Sequence, residues 1–278
     1  MNILYLPLEF SNFYSARRFS YPLGIGMVEG FEANKIEHLT VPVTYHTPAW
    51  LYMLKKLVGD QKFDQVWIEV VHSTIPENIL EWLTTIAPIR VGFVVESLTI
   101  DPDEFVNNPV GTQRRVANLN KKLPYLTHMI VTDERDLGEF EIPTMLGIAS
   151  VPKRLVLYPN STSGKAIFCG ATYGERADWL TQLEPYIWVN PPSAEDTTNL
   201  PKVFDQTFSS PWAVDEYDYF YKGWFDTRKV LYSIWINFLH TLPGCAIINL
   251  PHRTNVLSSR VIEGMAAGKP VLSPLMNN

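Results

Sequence analysis

Short apolar runs that alternate with helix-like segments constrain the fold of this 278-residue chain more than any other feature. In the first half we predict strands over 3–8, 37–43, 66–71, 90–95 and 128–131, with helices over 22–32 and 76–86. Strands that alternate with helices are typical of a parallel sheet covered on both faces. The first half is therefore predicted to be α/β, and Asp133 is expected to cap a helix after the last of these strands.

The same alternation starts again after a polar, turn-rich segment at 158–164, which indicates an interdomain linker. The second half contains predicted strands over 166–169, 219–221 and 246–250, with helices through Trp179 and Leu183 and over 226–240. This doubling of the pattern predicts two domains, which cover residues 1–160 and 165–278.

Composition excludes several classes of protein. The net charge of −6 argues against broad, sequence-independent binding of nucleic acid. No apolar run reaches the length of about eighteen residues that indicates a membrane span. The N-terminus enters a strand directly, without a basic leader, so we expect no signal peptide and a cytoplasmic location. Cys169 and Cys245 lie in apolar runs and are expected to be buried, reduced thiols.

A helix near the C-terminus carries a conspicuous carboxylate. Leu257, Val261 and Met265 recur at four-residue spacing and predict the buried face of this helix. Glu263 lies off that stripe, so it is expected to be free to meet a ligand. Arg260 lies about one turn earlier, where it can pair with Glu263 or contact a phosphate.

The end of this helix is marked by two residues that stop helices. Gly268 stands where a left-handed C-cap belongs, and Pro270 prevents the helix from continuing. Val271 and Leu272 then begin a predicted buried strand. A strand, a polar loop and a helix N-terminus together favour a diphosphate site, because the first N–H groups of a helix are free to donate. The sequence therefore predicts a nucleotide-sugar site whose carboxylate accepts ribose hydroxyls.

Two motifs, in this order, resemble the donor-binding segments of GT-B glycosyltransferases. Residues 260–271 match the signature R-x-x-E-x-x-A-x-G-x-P-V, and residues 168–176 match F-x-G-x-x-Y-x-x-R. The pair is most similar to the CgeB-like branch, which contains relatives of a spore-maturation protein. The resemblance covers the chain from about residue 165 to its end, and the N-terminal half only in outline.

The resemblance implies two Rossmann-like domains that face each other across a cleft, with a nucleotide diphosphate sugar held by the second domain. It implies that the sugar moves to an acceptor hydroxyl without a metal or another cofactor. Such second domains continue beyond this signature, so an incomplete second domain is expected. The donor-binding residues implied are Gly170, Tyr173, Arg176, His252, Asn255, Val256, Arg260 and Glu263.

The acceptor side is expected to supply a general base. Glu96 follows the predicted strand over 90–95, and ligands bind beyond the carboxyl ends of parallel strands. Glu96 is therefore the first candidate for the base and Asp101 the second. Retaining GT-B enzymes often carry a glutamate at the position of Asn255, which leaves the stereochemistry open. Asp101, Pro102 and Asp103 imitate a D-x-D metal motif, but the proline favours a turn, so no metal is expected there.

Several alternatives stay open at this point. A DNA-modifying glucosyltransferase shares the signature helix, and a catalytically inactive GT-B-like binding protein fits Asn255 and the short second domain. A nucleotide-sugar epimerase has the same fold. The acceptor, whether glycan, protein or small molecule, is not specified, and neither are the sugar and the base of the donor.

Overall fold

The computed structural model describes residues 1–9, 22–41, 43–44, 54–94, 98, 109–147, 151–162, 164–170, 172, 175–189, 217–250 and 259–273. The described part is a Rossmann-like α/β protein with a six-stranded and a four-stranded parallel sheet. A pair of two-residue strands, β2 (Leu8–Glu9) and β4 (Val43–Thr44), forms a third, very small sheet.

The first half forms the six-stranded sheet, whose strands are β1 (Asn2–Leu6), β3 (Glu37–Thr40), β5 (Gln65–Glu69), β6 (Ile89–Phe93), β7 (His128–Val131) and β8 (Thr144–Leu146). β1 is buried along almost its whole length, as expected of a parallel strand covered on both faces. The predicted strand over 128–131 is confirmed at both ends. In the sheet these strands lie in the order β3-β1-β5-β6-β7-β8.

The helices of the first half are α1 (Pro22–Ala33), α2 (Glu77–Ile86) and α3 (Pro109–Lys122). The predictions of α1 and α2 are confirmed. α2 buries Ile79, Leu80, Leu83 and Ile86, which share one face of the helix. Helix α3 was not predicted, because Val116 and Leu119 are too few among the polar residues of 113–120 to define an apolar face. The Asp133 cap is confirmed on a short 3-10 turn (Glu134–Asp136), where its carboxylate accepts the backbone N–H of Arg135.

The second sheet consists of β9 (Ala166–Phe168), β10 (Ile187–Val189), β11 (Ile247–Ile248) and β12 (Val271–Leu272). It has a core on each face. Ile167 packs into the core that contains Tyr232 and Ile236, whereas the next residue, Phe168, packs with Leu180 on the opposite face. This alternation is the two-residue period of a strand. In the sheet the strands lie in the order β10-β9-β11-β12.

The helices of the second half are α4 (Glu175–Leu183), α5 (Tyr217–Thr241) and α6 (Ser259–Ala266). The predicted strand over 219–221 is wrong, because those residues begin the 25-residue helix α5. Phe225, Tyr232, Ile236 and Leu239 are buried at helical spacing. Packing on the sheet therefore overrides the local preference of an aromatic run for a strand.

Helix α6 is capped as predicted by Gly268, which has a φ of +72°. The N–H of Gly268 donates to the carbonyl of Met265 at 3.0 Å, and that of Lys269 donates to the carbonyl of Gly264 at 3.0 Å. These two bonds define a Schellman motif. The strand that follows is not buried as predicted, since Leu272 is 54% exposed on an edge strand.

The segment predicted as a linker is attached to the second sheet. The N–H of Asn160 donates to the carbonyl of Gly268 at 2.9 Å, and Ser161 Oγ donates to the carbonyl of Cys245 at 2.8 Å. Leu155, which precedes the segment, lies in a core of the second sheet. Just before this segment, the Arg154 guanidinium holds the Glu29 carboxylate of α1 and donates to Ser233 Oγ of α5 at 3.0 Å. The two halves therefore meet where α1 packs against α5.

None of the helices in the described part of the chain combines the length and the apolar character needed to cross a membrane.

Candidate functional site at the carboxyl edge of the second sheet

The strand order of the second sheet creates a crevice at its carboxyl edge. From β9 the chain continues to β10 on one side, whereas β11 and β12 lie on the other side. The topological switch point therefore falls between β9 and β11, and ligands of open parallel sheets bind in such crevices. Cys169 and Gly170 follow β9, and Asn249 follows β11.

Arg260 and Gly170 pack against each other at this edge. Arg260 Nε donates to the carbonyl oxygen of Cys169 at 2.6 Å, and its guanidinium lies 5.1 Å from the centre of the Phe168 ring. Gly170 has a φ of +157°, and a Cβ at this position would collide with the guanidinium. Only glycine allows the backbone and the cation to approach this closely.

Glu263 lies on α6 next to this cation and is buried, with 5% of its surface exposed. Trp235 Nε1 of α5 donates to Glu263 Oε2 at 2.9 Å. Burial raises the pKa of Glu263 from 4.5 to about 7, although the hydrogen bond from Trp235, the charge of Arg260 and a hydrogen bond from Ser259 oppose the change. The carboxylate is thus held in a desolvated position beside one positive charge.

The prediction of the buried face of α6 is wrong, because the helix turns a different set of residues towards the sheet. Met265, expected to be buried, is 63% exposed, whereas Glu263, expected to be free, is buried with Gly264 and Ala266. A Cβ on Gly264 would lie 2.9 Å from Val271 Cγ2, so the helix approaches the sheet through its smallest residues. The spacing of large apolar residues cannot predict this contact face, because small residues form it.

Two further polar residues lie near the same edge. Arg176 is in the first turn of α4, the helix that follows β9, and only 4% of it is exposed. Asn249 is also buried, and its Nδ2 donates to Ser273 Oγ at 3.1 Å. Arg176, Gly170, Arg260 and Glu263 therefore all belong to elements that begin or end at this edge.

Six predicted site residues lie outside the described part of the chain. These residues stay predictions: Glu96, Asp101, Tyr173, His252, Asn255 and Val256.

Sequence reasoning missed Trp235. It stands 28 residues before Glu263 and belongs to a different helix, so no short-range pattern connects the two. Cys169 is buried as predicted, and burial raises the pKa of its thiol to about 12. Cys245, in contrast, is half-buried.

The corresponding edge of the first sheet carries a second buried carboxylate, which the sequence reasoning also missed. Glu69 ends β5 and has no exposed surface. Its carboxylate accepts the backbone N–H groups of Val71 at 2.9 Å, His72 at 2.9 Å and Ser73 at 2.6 Å. The loop after β5 is thereby folded around the carboxylate.

Two side chains of α3 donate hydrogen bonds to carbonyl groups of the same loop. Lys122 Nζ donates to the carbonyl of Val70 at 2.8 Å and also to that of Ser73, and Asn118 Nδ2 donates to the carbonyl of Val71 at 3.0 Å. Burial lowers the pKa of Lys122 to about 8, while the charge of Glu69 opposes the change. This loop lies at the switch point of the first sheet, between β1 and β5.

Within the described ranges, no three His, Cys, Asp or Glu side chains gather as a metal site would require. No protein-family model matches this sequence, and no curated protein matches it either.

Proposed function

We propose that the protein is a GT-B glycosyltransferase that binds a nucleotide diphosphate sugar at the carboxyl edge of the second sheet. One observation carries the proposal. A guanidinium, a buried carboxylate and a glycine with no room for a side chain come together at the switch point of a parallel sheet. The two sequence motifs of the family contribute these residues.

Each group has a chemical task in this proposal. Glu263 accepts the ribose hydroxyls, and the backbone at Gly170 lets the diphosphate approach closely. Arg260 and Arg176 offset the charge of the departing diphosphate, since guanidinium groups donate to phosphate in pairs. Transfer then needs an oriented acceptor hydroxyl and stabilisation of the leaving group. The acceptor lies on the side of the first sheet, with Glu96 as its base and Asp101 as the alternative.

Calorimetry with UDP, GDP, UDP-glucose and GDP-mannose tests the donor site. We expect Glu263→Gln to weaken nucleotide binding by about 1–3 kcal/mol, because hydrogen bonds to a charged acceptor are lost. Glu184→Gln is the matched control, since Glu184 is an exposed carboxylate in the same half of the chain. Equal affinity of wild type and Glu263→Gln would remove Glu263 from the donor site.

Assays of donor hydrolysis and sugar transfer test the proposed catalytic activity. Donor hydrolysis or transfer is expected to persist in excess chelator, because arginine and helix N–H groups hold the diphosphate. Activity that disappears in chelator and returns with manganese would contradict the scheme and direct attention to Asp101 and Asp103.

Glu96→Gln is expected to slow turnover by roughly 10²–10⁴-fold at unchanged donor affinity. Nucleotide binding without any turnover would favour the inactive binding protein instead.

A further inference from the structure

We infer that Trp235 is a positioning residue for the donor site, whose indole N–H holds Oε2 of Glu263 so that the carboxylate faces the ligand in one orientation. This inference rests on the proposed function, because the ligand is the nucleotide sugar proposed above. The bond of 2.9 Å joins the long helix α5 to α6, and it connects a half-buried ring to a buried carboxylate.

The contact leaves acceptor capacity on Glu263. An ionised carboxylate has about four lone-pair positions, and an indole N–H is a donor only. Within the described residues, Trp235 and Ser259 take two of these positions. The remaining lone pairs are available to the two vicinal hydroxyls of a ribose. Because the site is desolvated, hydrogen bonds made there are stronger than in water.

The contact also controls the charge of Glu263. An N–H donated to a carboxylate stabilises the ionised form, and Trp235 is the strongest of the three influences that lower the pKa of Glu263. The other ionisable groups that interact with it are Arg260 on α6, the Cys169 thiol after β9 and the Tyr232 hydroxyl on α5. Burial raises the pKa of both Cys169 and Tyr232, so both are neutral and Arg260 supplies the only charge in this described group.

Trp235→Phe tests the inference, since it keeps an aromatic ring and removes the N–H. Without ligand, the side-chain ¹³C resonance of Glu263, identified by its loss in Glu263→Gln, reports the titration. We expect the midpoint to move up by about one pH unit, the value of one hydrogen bond to a charged acceptor. Trp188→Phe is the control, because Trp188 lies 37% exposed on the edge strand β10. An unchanged midpoint in Trp235→Phe would overturn the inference.

The pH profile of UDP-glucose and GDP-mannose binding is the second readout. Below the midpoint, Trp235→Phe is expected to bind at least about tenfold more weakly than wild type. At about pH 9 the difference is expected to shrink, because both carboxylates are ionised there and only the loss of orientation remains. A purely structural role of the ring would weaken binding equally at every pH and would overturn the inference. If wild type binds neither donor while the midpoint moves as expected, the proposed function fails and the positioning of a ligand fails with it, and Trp235 is then a residue that holds Glu263 in its ionised form. If wild type binds a donor and the midpoint does not move, only the inference about Trp235 fails.

A measurement on the wild type covers the case in which Trp235→Phe does not fold. The indole ¹H–¹⁵N resonance of Trp235 is expected to titrate with the midpoint of Glu263 and to lose this titration in Glu263→Gln. An indole resonance that stays constant through that midpoint would overturn the inference.

Discussion

The two parallel sheets each bury a glutamate at their carboxyl edge, but the two carboxylates accept hydrogen bonds from different kinds of donor. Glu69 accepts three backbone N–H groups of its own loop and lies beside Lys122. Glu263 accepts an indole N–H and a bond from Ser259, and its pKa is raised to about 7. A carboxylate saturated by backbone donors organises a loop, whereas a carboxylate with few donors keeps capacity for a ligand.

The largest expected effect concerns Glu69. Glu69→Gln places an NH₂ group against the N–H donors of the loop and removes the negative charge near Lys122, so we expect the free energy of unfolding to fall by about 3–5 kcal/mol. Urea denaturation measures this loss. Glu81→Gln, an exposed position on α2, is expected to stay within about 0.5 kcal/mol of wild type. A loss below about 1 kcal/mol for Glu69→Gln would show that the two carboxylates do not differ in this way.

Glu263→Gln, in contrast to Glu69→Gln, is expected to raise the free energy of unfolding. The carboxyl ionises at 4.5 in its reference state and at about 7 in the folded chain, so the folded chain loses stability as pH rises between these values. Glu263→Gln removes this penalty and is expected to be more stable than wild type by up to about 3 kcal/mol at about pH 8, with no gain at about pH 4. Thermal unfolding across this pH range measures the difference. A gain that does not depend on pH would contradict the raised pKa.

Gly170 tests how closely the second edge is packed. Gly170→Ala forces a Cβ against the Arg260 guanidinium and the Phe168 ring at a φ of +157°, so we expect a loss of about 1–3 kcal/mol in the free energy of unfolding. Gly30→Ala in helix α1 meets no atom within 4 Å and is expected to gain up to about 1 kcal/mol. Chemical denaturation of the two variants separates close packing from helix propensity. A neutral Gly170→Ala would argue against the contact with Arg260.

The smallest expected effect concerns the contact between the two halves. Arg154 is 39% exposed in its bridge to Glu29, so Arg154→Met is expected to cost only about 0.5–1 kcal/mol. The loss is expected to vanish in about 1 M salt, which screens exposed charges. Lys153→Met removes an exposed neighbouring cation and is the control. A loss that persists in high salt would mean that Arg154 acts through packing.

Local patterns predicted much of the fold. The strand over 128–131, the helices α1 and α2, the Asp133 cap and the C-cap at Gly268 each depend on a few neighbouring residues. The predictions failed where packing decided the outcome. The aromatic run over 219–221 belongs to α5, and this helix packs on the second sheet through Tyr232, Ile236 and Leu239. The small residues of α6 face the sheet, because a Cβ on Gly264 would lie within 3.3 Å of Ile247 and Val271.

The sequence by itself determined the α/β class, the doubled alternation and the positions of the two motifs, because periodicity and helix caps act over a few residues. Only the tertiary structure decided which side chains meet at the two sheet edges. The hydrogen bond from Trp235 to Glu263 joins residues that are 28 positions apart in the sequence, and the one from Arg260 to Cys169 joins residues that are 91 positions apart. Contacts of this length depend on strand order and close packing, which no local pattern encodes.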